Sequence, residues 1–584
     1  GEVTDFSSHK DNNSRFYKMC GGSLGGKARG LAFAKDMIVQ SGINDNYENI
    51  VVKIPRTAII GTEEFDRFMK DNNLWDDALK AESNKKVEEI FLKSRLSMDI
   101  TLKVEAFLKK CKKPLAIRSS SLLEDSQYQA LSGAYSTFML SNDQEVFKDR
   151  INEVTNAIKL VFASIFFQES KSHFSHTAHR TEEEKMAVIL MEIAGKKYSS
   201  GRFYPTFSGV LKSINFYPVS YMKRDEGVCY LALGFGKTIV DGGKCLGISP
   251  KYPAIKPQFA TIKSTIQNSQ SNFFALELKD KKSSLKKDLK MHDLSKAEED
   301  ESLKWMGGVI TSVDNILRNS LSYEGTRVVN FSQILDWNII PLCDILNELL
   351  ALGKQALGCP VEIEFAVNMN DNGPSEFYLL QIKPMLISNN KSINLDIYEQ
   401  KDIFASSHIT LGNGTTNQIK DLLYLPPEKY DPSKSKKIAK EIGYFNEKIG
   451  KDNPYILSGP GRWGSADPWL GVPITWQQIS NTKIIIELGH EDFPVDPSFG
   501  SHFFQNITSL HIGYLTIDHK NINDSLNFNW LNTLKPKEEK KHIKWFQFND
   551  SFKTIIDGLS GMGKILIPKP NEIELMDEED STGI

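Results

Sequence analysis

The sequence predicts an α+β protein built from more than one domain. Helical and strand patterns alternate along its first part, and several strand patterns follow one another closely, which favours an antiparallel component. Its 584 residues exceed what one hydrophobic core usually organises, so roughly two to four domains are expected. Hydrophobic residues make up 40% and charged residues 25% of the chain, as in ordinary globular proteins.

The first elements follow from hydrophobic periodicity. Apolar residues recur at helical spacing after a glycine-rich turn, which predicts a helix over Ala28–Gln40. Short apolar runs predict strands at Ile50–Ile54 and Ala58–Ile60. Charged faces beside apolar ones predict a mostly helical stretch over Glu63–Arg95 and a longer helix over Asp149–Gln168.

Later segments continue the mixed pattern. Strands are predicted at Met186–Ile193, Gly209–Phe216 and Val228–Leu233, and a helix at Pro341–Leu352, where the proline suits a first turn. Residues 279–302 form a charge run, for which a solvated helix or loop is favoured over a partner site.

Composition excludes several classes of protein. The net charge of −3 gives no basic field for nucleic acid or an anionic membrane surface, and no apolar run is long enough to span a membrane. The six scattered cysteines form no CxxC motif, so we expect neither a zinc site nor a disulfide framework, and a cytoplasmic location fits best. The chain begins without Met, so we expect a missing N-terminal segment, with a regulatory region as one alternative.

A hydroxyl-rich turn is the most informative stretch. The strand Leu115–Ile117 leads into Arg118 and the three serines Ser119–Ser121, followed by the acidic pair Glu124–Asp125 and the small-residue turn Ser132–Ala134. A guanidinium can bind phosphate oxygens in bidentate fashion, and hydroxyls and turn amides can donate further hydrogen bonds. This pattern suits a polyphosphate, and a purely structural turn is the alternative.

A glycine-rich segment, Gly21–Ala32, precedes this turn. It nearly matches a Walker A loop, but Ala28 stands where that motif needs a hydroxyl for magnesium, so the P-loop interpretation is rejected. Bare glycine amides at a helix N-terminus favour an anion, and Lys27 would reach its phosphates. The alternative is a glycine-rich turn with an exposed lysine.

Two carboxylates share one face of a later strand. Glu362 and Glu364 are two residues apart, so a strand directs both to the same side. Two such carboxylates repel each other unless a cation lies near them. Mg²⁺ uses one or two carboxylates together with substrate phosphates, which makes it the expected cation. The alternative is an edge strand whose glutamates face solvent.

The glycine-rich segment, the turn after Arg118 and the acidic pair occur along the chain in that order, together with Ser208–Val210 and the strand Phe377–Pro384. This series resembles the nucleotide-binding domain of pyruvate phosphate dikinase and phosphoenolpyruvate synthase. The resemblance covers roughly residues 10–390 and implies a two-lobed ATP-grasp fold, placed here at residues 1–390, with ATP and Mg²⁺ as cofactors. It implies that Glu362 and Glu364 bind the metal. It also implies that Lys27, Arg118 and Gln381 hold the triphosphate.

The same resemblance assigns further residues. Met191, Glu192 and Ile193 occupy the family's adenine hinge, where backbone groups would bind the purine, and Gly234 and Gly236 would lie near the phosphates. Three positions depart from the family pattern. Lys383 replaces an arginine, which keeps a cation for catalysis but loses bidentate geometry. Lys237 stands where the family has a glutamate, and Met191 stands where relatives often have a glutamine.

The resemblance weakens after residue 390. We expect a linker and helical connector at 391–450, a smaller α/β domain at 451–569 and an acidic disordered tail at 570–584. About 190 residues leave no room for the family's pyruvate-binding barrel, which needs roughly 250, so the pyruvate half-reaction is not expected.

A divergent swivelling phosphohistidine domain is one interpretation of the second domain. His502 follows an apolar strand and a Gly-Ser pair, as the family's phosphorylated histidine does, but two phenylalanines replace the small residues after it. A packed structural histidine is the alternative. The loop Ser458–Trp469 is either an anion-binding loop with stacking tryptophans or a tight turn with tryptophan in the core.

These features favour an Mg-ATP-dependent phosphotransferase, in which Arg118 and Lys383 act on the nucleotide. The phosphoryl acceptor is unknown, with His502 or a bound small molecule as candidates. The second hypothesis is a regulatory module that binds ATP without turning it over, as Lys383 and the missing barrel suggest.

Overall fold

The chain divides into two compact units. The computed structural model describes residues 4–5, 15–121, 136–167, 184–219, 221–278, 289–385, 398–465, 469–489, 507 and 511–569. The first unit comprises residues 1–214 and 225–386, and the second comprises residues 215–224 and 387–584. His502 and the motifs at 124–125 and 132–134 lie outside the described residues.

Strands of the first unit build two large sheets and two small ones. The strands are β1 (Thr4–Asp5), β2 (Phe16–Lys18), β3 (Ile50–Lys53), β4 (Thr57–Ile60), β5 (Leu115–Ser120), β6 (Thr137–Leu140), β7 (Ala187–Glu192), β8 (Lys196–Lys197), β9 (Arg202–Tyr204), β10 (Phe207–Lys212), β11 (Val228–Leu233), β12 (Leu246–Ile248), β13 (Asn272–Glu277), β14 (Lys290–Asp293), β15 (Gly307–Thr311), β16 (Leu317–Arg318), β17 (Gly325–Val329), β18 (Val361–Asn368) and β19 (Ser375–Pro384). One six-stranded sheet has the order β1-β2-β4-β7-β5-β6, and the other has the order β12-β11-β10-β18-β19-β3. The second is antiparallel apart from the pairing of β19 with β3.

Helices of the first unit pack on these sheets. They are α1 (Gly25–Ser41), α2 (Thr62–Asp71), α3 (Trp75–Lys80), α4 (Asn84–Lys93), α5 (Met98–Lys110), α6 (Phe147–Ala163), α7 (Lys237–Val240), α8 (Ile262–Asn268), α9 (Leu294–Glu299), α10 (Ser332–Leu335) and α11 (Leu342–Leu357). No helix in the described ranges is long and apolar enough to cross a membrane.

The sheet that contains β5 and β7 separates two hydrophobic cores. Strand side chains alternate between faces, so Ile59 and Ile189 join the core shared with α1 and the second sheet, whereas Ala58 and Leu190 join the core formed with helices α2 to α6. Because both faces of these strands are buried, their sequences are nearly continuous runs of apolar residues.

The stretch Glu63–Arg95 is mostly helical, as its pattern predicts, but short breaks divide it. It contains three helices, α2, α3 and α4. Asn73 adopts a left-handed conformation with φ of 50°, which ends the first helical segment. The side chain of Ser83 then accepts a hydrogen bond from the amide of Lys86 and starts α4.

The second unit is organised around one large mixed sheet. Its strands are β20 (Ile403–Ser407), β21 (Ile409–Leu411), β22 (Gly414–Tyr424), β23 (Tyr455–Pro460), β24 (Arg462–Trp463), β25 (Gly471–Val472), β26 (Thr482–Leu488), β27 (Gly513–Ile517), β28 (Ser525–Leu526), β29 (Glu538–Glu539), β30 (Lys544–Asp557) and β31 (Met562–Leu566), and its helices are α12 (Ser435–Ile449) and α13 (Phe528–Thr533). Ten of these strands form the large sheet, in the order β21-β27-β26-β23-β22-β30-β31-β20-β28, with β29 paired to β30.

A parallel group forms the middle of this sheet. Strands β22, β23, β26 and β27 are parallel neighbours, and α12 provides the crossover between β22 and β23. The segment 391–450, expected as a linker and helical connector, thus contributes strands β20 to β22 to the sheet as well as a helix. The pairing partners of β20 and β21, and the partner β30 of β22, lie more than 100 residues away in sequence, so no local pattern predicts these pairings.

Candidate functional site

A cavity of about 350 Å³ lies in the first unit and is lined by both six-stranded sheets. It contains five of the residues predicted for the site, namely Arg118, Met191, Ile193, Gly236 and Glu364. Its walls are otherwise mainly apolar, with side chains such as Met139, Phe235 and Leu289. A largely apolar cavity with a few convergent polar groups is the usual form of a small-molecule site.

Arg118 connects the two sheets across this cavity. Its Nη2 donates a hydrogen bond to Oε1 of Gln381 at 3.2 Å, and Gln381 is almost fully buried. Gln381 is paired with Glu364 across β18 and β19, so the cation, the amide and the acid lie together. Two segments separated by more than 260 residues therefore meet where the sequence predicted a triphosphate site.

Lys383 lies between the two predicted metal-binding carboxylates. Its Nζ is 3.1 Å from Oε1 of Glu362 and 3.8 Å from Oε1 of Glu364, and Nζ of Lys212 is 3.5 Å from Oε2 of Glu362. The glutamates share one face, as their spacing predicted, and both are partly exposed. The cation that this acidic pair requires is supplied here by lysine ammonium groups.

The donor set is compatible with Mg²⁺ only together with a phosphorylated ligand. No group of three or more histidine, cysteine or acidic residues that could hold a metal occurs within the described part of the chain. Mg²⁺ usually takes only one or two carboxylate ligands from the protein when phosphate oxygens complete its coordination shell, and two carboxylates on one face provide that number. Glu362 and Glu364 therefore fit the group that the resemblance implies.

The serines after Arg118 contact the start of α1. Oγ of Ser120 accepts a hydrogen bond from the amide of Ala28 at 3.1 Å and donates to the carbonyl of Leu24 at 2.8 Å, while the carbonyl of Ser121 accepts from the amide of Gly26 at 2.9 Å. These amides are among the donors that the sequence assigned to an anion. Protein oxygens already use them, so the predicted anion site at this helix N-terminus differs from the arrangement observed.

Lys27 lies in the first turn of α1 and is not among the residues that line the cavity. Gly25, beside it, has φ of 74°, and a Cβ there would lie 1.8 Å from the carbonyl oxygen of Ser120. Gly25 is therefore explained by close packing of α1 on β5.

The predicted adenine hinge is divided between two roles. The amides of Glu192 and Ile193 donate to the carbonyls of Arg56 and Pro114, at 2.9 and 2.8 Å, so these donors are already used. The carboxylate of Glu192 accepts from Sγ of Cys111 at 3.3 Å, and burial raises the pKa of that thiol. Of the three hinge residues, Met191 and Ile193 line the cavity.

A third group of residues closes the cavity near α7. Gly234 has φ of 76° and its carbonyl accepts from Oγ of Ser208 at 2.7 Å, which holds the turn against β10. Lys237 lines the cavity and its Nζ is 2.8 Å from Asp241. The sequence indicates Lys237 only as a departure from the family pattern. It does not indicate Asp241, because a lone aspartate matches no motif.

These elements fall within one family match. Residues 22–402 match the family described as pyruvate phosphate dikinase, AMP/ATP-binding domain. The chain belongs to this family. The match includes the glycine-rich segment from Gly22 onwards and both strands that carry Gln381 and Glu364, and it confirms the resemblance inferred from the sequence motifs. No curated protein matches the chain.

The matched part of this dikinase-family chain therefore constitutes an AMP/ATP-binding domain, and its cavity brings together residues of strands β5 to β7 with residues of β10, β18 and β19. Outside the matched residues, the sequence offered two further candidates, His502 and the loop Ser458–Trp469. His502 lies outside the described residues, so its role stays a prediction.

The loop that begins at β23 anchors a tryptophan in the second unit. Trp463 is fully buried, and its indole Nε1 donates to the carbonyl of Ile486 at 3.1 Å. Its amide donates at 2.9 Å to Oε1 of Glu487, and Oε2 of Glu487 accepts from the hydroxyl of Tyr514. Burial raises the pKa of Glu487 to about 7. For Trp463, the alternative of a core tryptophan therefore holds.

Proposed function

We propose that this chain is an Mg-ATP-dependent phosphotransferase whose nucleotide occupies the cavity between the two sheets of the first unit. The observation that carries the proposal is the approach of Arg118 and Glu364 to one cavity, linked through Gln381. A fixed guanidinium beside an acidic pair suits a polyphosphate with its metal. The ATP-grasp assignment of the two lobes belongs to the same proposal.

Each residue has a separate task in this scheme. Arg118 binds phosphate oxygens and stabilises charge that develops during transfer, while Gln381 orients its guanidinium. Glu362 and Glu364 would hold Mg²⁺, which when bound neutralises charge on the phosphates. Met139, Met191 and Ile193 provide an apolar surface for the purine.

A second candidate function is a module that binds ATP without turnover. The contacts of Lys383 with both carboxylates favour it, because the acidic pair already has a cation. Lysine also cannot reproduce the bidentate phosphate contact of the family's arginine.

Nucleotide analysis after incubation with Mg-ATP separates the two functions. A phosphotransferase releases AMP or ADP, whereas a binding module returns ATP unchanged. Glu364→Gln should abolish release while the chain still folds, and Glu348→Gln, an acid bonded to Tyr47 outside the cavity, should leave it unchanged. Release at the wild-type rate in Glu364→Gln would contradict the proposed metal site.

The acceptor requires its own measurement. If His502 accepts the phosphoryl group, the chain gains phosphate from ATP in an acid-labile, base-stable linkage, and His502→Ala abolishes it. Equal phosphate incorporation in that variant would exclude His502. Nucleotide release without any incorporation would instead indicate transfer to water or to a supplied small-molecule acceptor, and the appearance of inorganic phosphate identifies water.

A further inference from the structure

Lys383 contacts both members of the acidic pair at once. Its Nζ lies 3.1 Å from Glu362 and 3.8 Å from Glu364, and the three side chains are 27%, 19% and 29% exposed, respectively. Lys212 contacts the same pair from the other side, but only through Glu362, at 3.5 Å. The two lysines therefore have unequal relationships to the carboxylates.

We propose that Lys383 holds the cation position of the acidic pair in the metal-free protein and is displaced towards the nucleotide phosphates when the metal binds. The inference rests on the proposed function and deepens it, because it assigns one side chain to both states of the site. Lys383 would act as a positioning residue that couples metal binding to nucleotide binding.

Charge and size make the exchange necessary. A bound Mg²⁺ lies about 2.0–2.1 Å from its oxygen ligands, so a metal held by both carboxylates occupies the space that the ammonium now fills. A second cation at that distance would be repelled. Lysine, with a flexible stem and a single charged group, can change partners without distorting the sheet.

Strand register gives the displaced ammonium a nearby destination. Lys383 is paired with Glu362, and Gln381, two residues earlier on the same strand, is paired with Glu364 and accepts from Arg118. Lys383 and Gln381 thus lie in one row that leads towards the guanidinium. Phosphate groups bound by Arg118 would be the closest new anions for Lys383.

The proposal predicts two effects of opposite sign in Lys383→Met. Metal alone should bind more tightly, because it no longer competes with an ammonium. The cooperativity between metal binding and nucleotide binding should fall, because the variant lacks the lysine that moves to the phosphates when the metal binds. By thermodynamic linkage, each ligand loses the same factor in its effect on the affinity for the other. A lysine that only repelled the metal would produce the first effect without the second.

The test measures Mn²⁺ binding to the full chain by electron paramagnetic resonance, with and without a non-hydrolysable ATP analogue. We expect Lys383→Met to bind Mn²⁺ about two- to fivefold more tightly than wild type, within the range of one partly exposed ion pair. The factor by which the analogue strengthens Mn²⁺ binding should decrease by a similar amount. The matched control Lys212→Met should also bind Mn²⁺ more tightly, but should keep the wild-type cooperativity.

Unchanged Mn²⁺ affinity or unchanged cooperativity in Lys383→Met would overturn the inference, while nucleotide binding by the wild type would keep the proposed function intact. Failure of the wild type to bind the analogue with Mn²⁺ would instead refute the proposed function itself and the inference with it. Lys383→Gln, which also removes the charge, repeats the comparison if the methionine variant does not fold.

Discussion

Arg118 and Gln381 bring the two large sheets of the first unit together through a hydrogen bond of 3.2 Å from Nη2 to Oε1. Arg118 belongs to β5 and Gln381 to β19, and Gln381 is buried while Arg118 lines the cavity. A buried amide that accepts from a guanidinium limits the orientations of that guanidinium. The remaining Arg118 donors are thereby directed rather than free to rotate.

We predict that Arg118→Ala weakens ATP binding by about 1.5–3 kcal/mol, or roughly 10- to 150-fold in Kd, because it removes a charge-assisted contact to phosphate. Calorimetric titration with ATP and Mg²⁺ measures this change. Arg56→Ala is the control, since that guanidinium donates to the carbonyl of Lys110 at 2.7 Å and is not among the cavity residues. Equal ATP affinity in wild type and Arg118→Ala would show that phosphate binds elsewhere.

The sequence signals that single out Arg118 and the acidic pair as candidates are local. Two glutamates two residues apart must share a face of any strand, whatever the strand pairs with. The position of Lys383 between them depends on the pairing of β18 with β19, which includes a bulge between Glu364 and Phe365. A pairing register of this kind is set by tertiary structure, and no local pattern encodes it.

The predicted adenine hinge illustrates the same limit. The apolar strand was recognisable from its composition, and Met191 and Ile193 do reach the cavity. That the amides of Glu192 and Ile193 are bonded to Arg56 and Pro114 depends on chain segments far away in sequence. Hydrogen-bond availability is therefore a property of the folded protein, although the residue types come from the sequence.

Ser120 provides a test of structural against ligand-binding roles. We predict that Ser120→Ala lowers the free energy of unfolding by about 1–3 kcal/mol, because the buried amide of Ala28 loses its acceptor. Denaturant unfolding measures the loss, and Ser320→Ala, at an exposed serine of the same unit, should be neutral. A variant with wild-type stability and weakened ATP binding would instead restore the original hypothesis that this hydroxyl binds phosphate.

Gly30 allows α1 to lie directly on β19. A Cβ at this position would be 2.6 Å from the carbonyl oxygen of Ile382, so we predict that Gly30→Ala costs about 1–3 kcal/mol of stability, despite the better helix propensity of alanine. Thermal unfolding measures the effect. In Gly443→Ala the nearest neighbours of the new Cβ are side-chain atoms of Gln478, the closest at 3.2 Å, so that variant should lose less stability than Gly30→Ala. Similar stabilities for the two variants would contradict the close packing inferred for α1.

Glu487 predicts a pH dependence of stability that comes from the second unit. Burial raises its pKa from 4.5 to about 7, and the hydrogen bonds from Trp463 and Tyr514 only partly oppose this shift. Between about pH 4.5 and 7 the unfolded chain is ionised at this position while the folded chain keeps its proton. The folded state then binds more protons than the unfolded state, so stability must fall as the pH rises through this window and level off above it.

The difference of about 2.5 pH units corresponds to about 3 kcal/mol at neutral pH. We predict that Glu487→Gln removes this contribution, because glutamine does not ionise, while its Oε1 still accepts from the Trp463 amide and its Nε2 can donate to the Tyr514 hydroxyl oxygen. Unfolding by urea, followed by tryptophan fluorescence at several pH values, should show a flatter profile for this variant than for wild type. The control Glu447→Gln, at an exposed glutamate of α12 in the same unit, should keep the wild-type slope, and an identical slope in Glu487→Gln would mean that other groups produce the pH dependence.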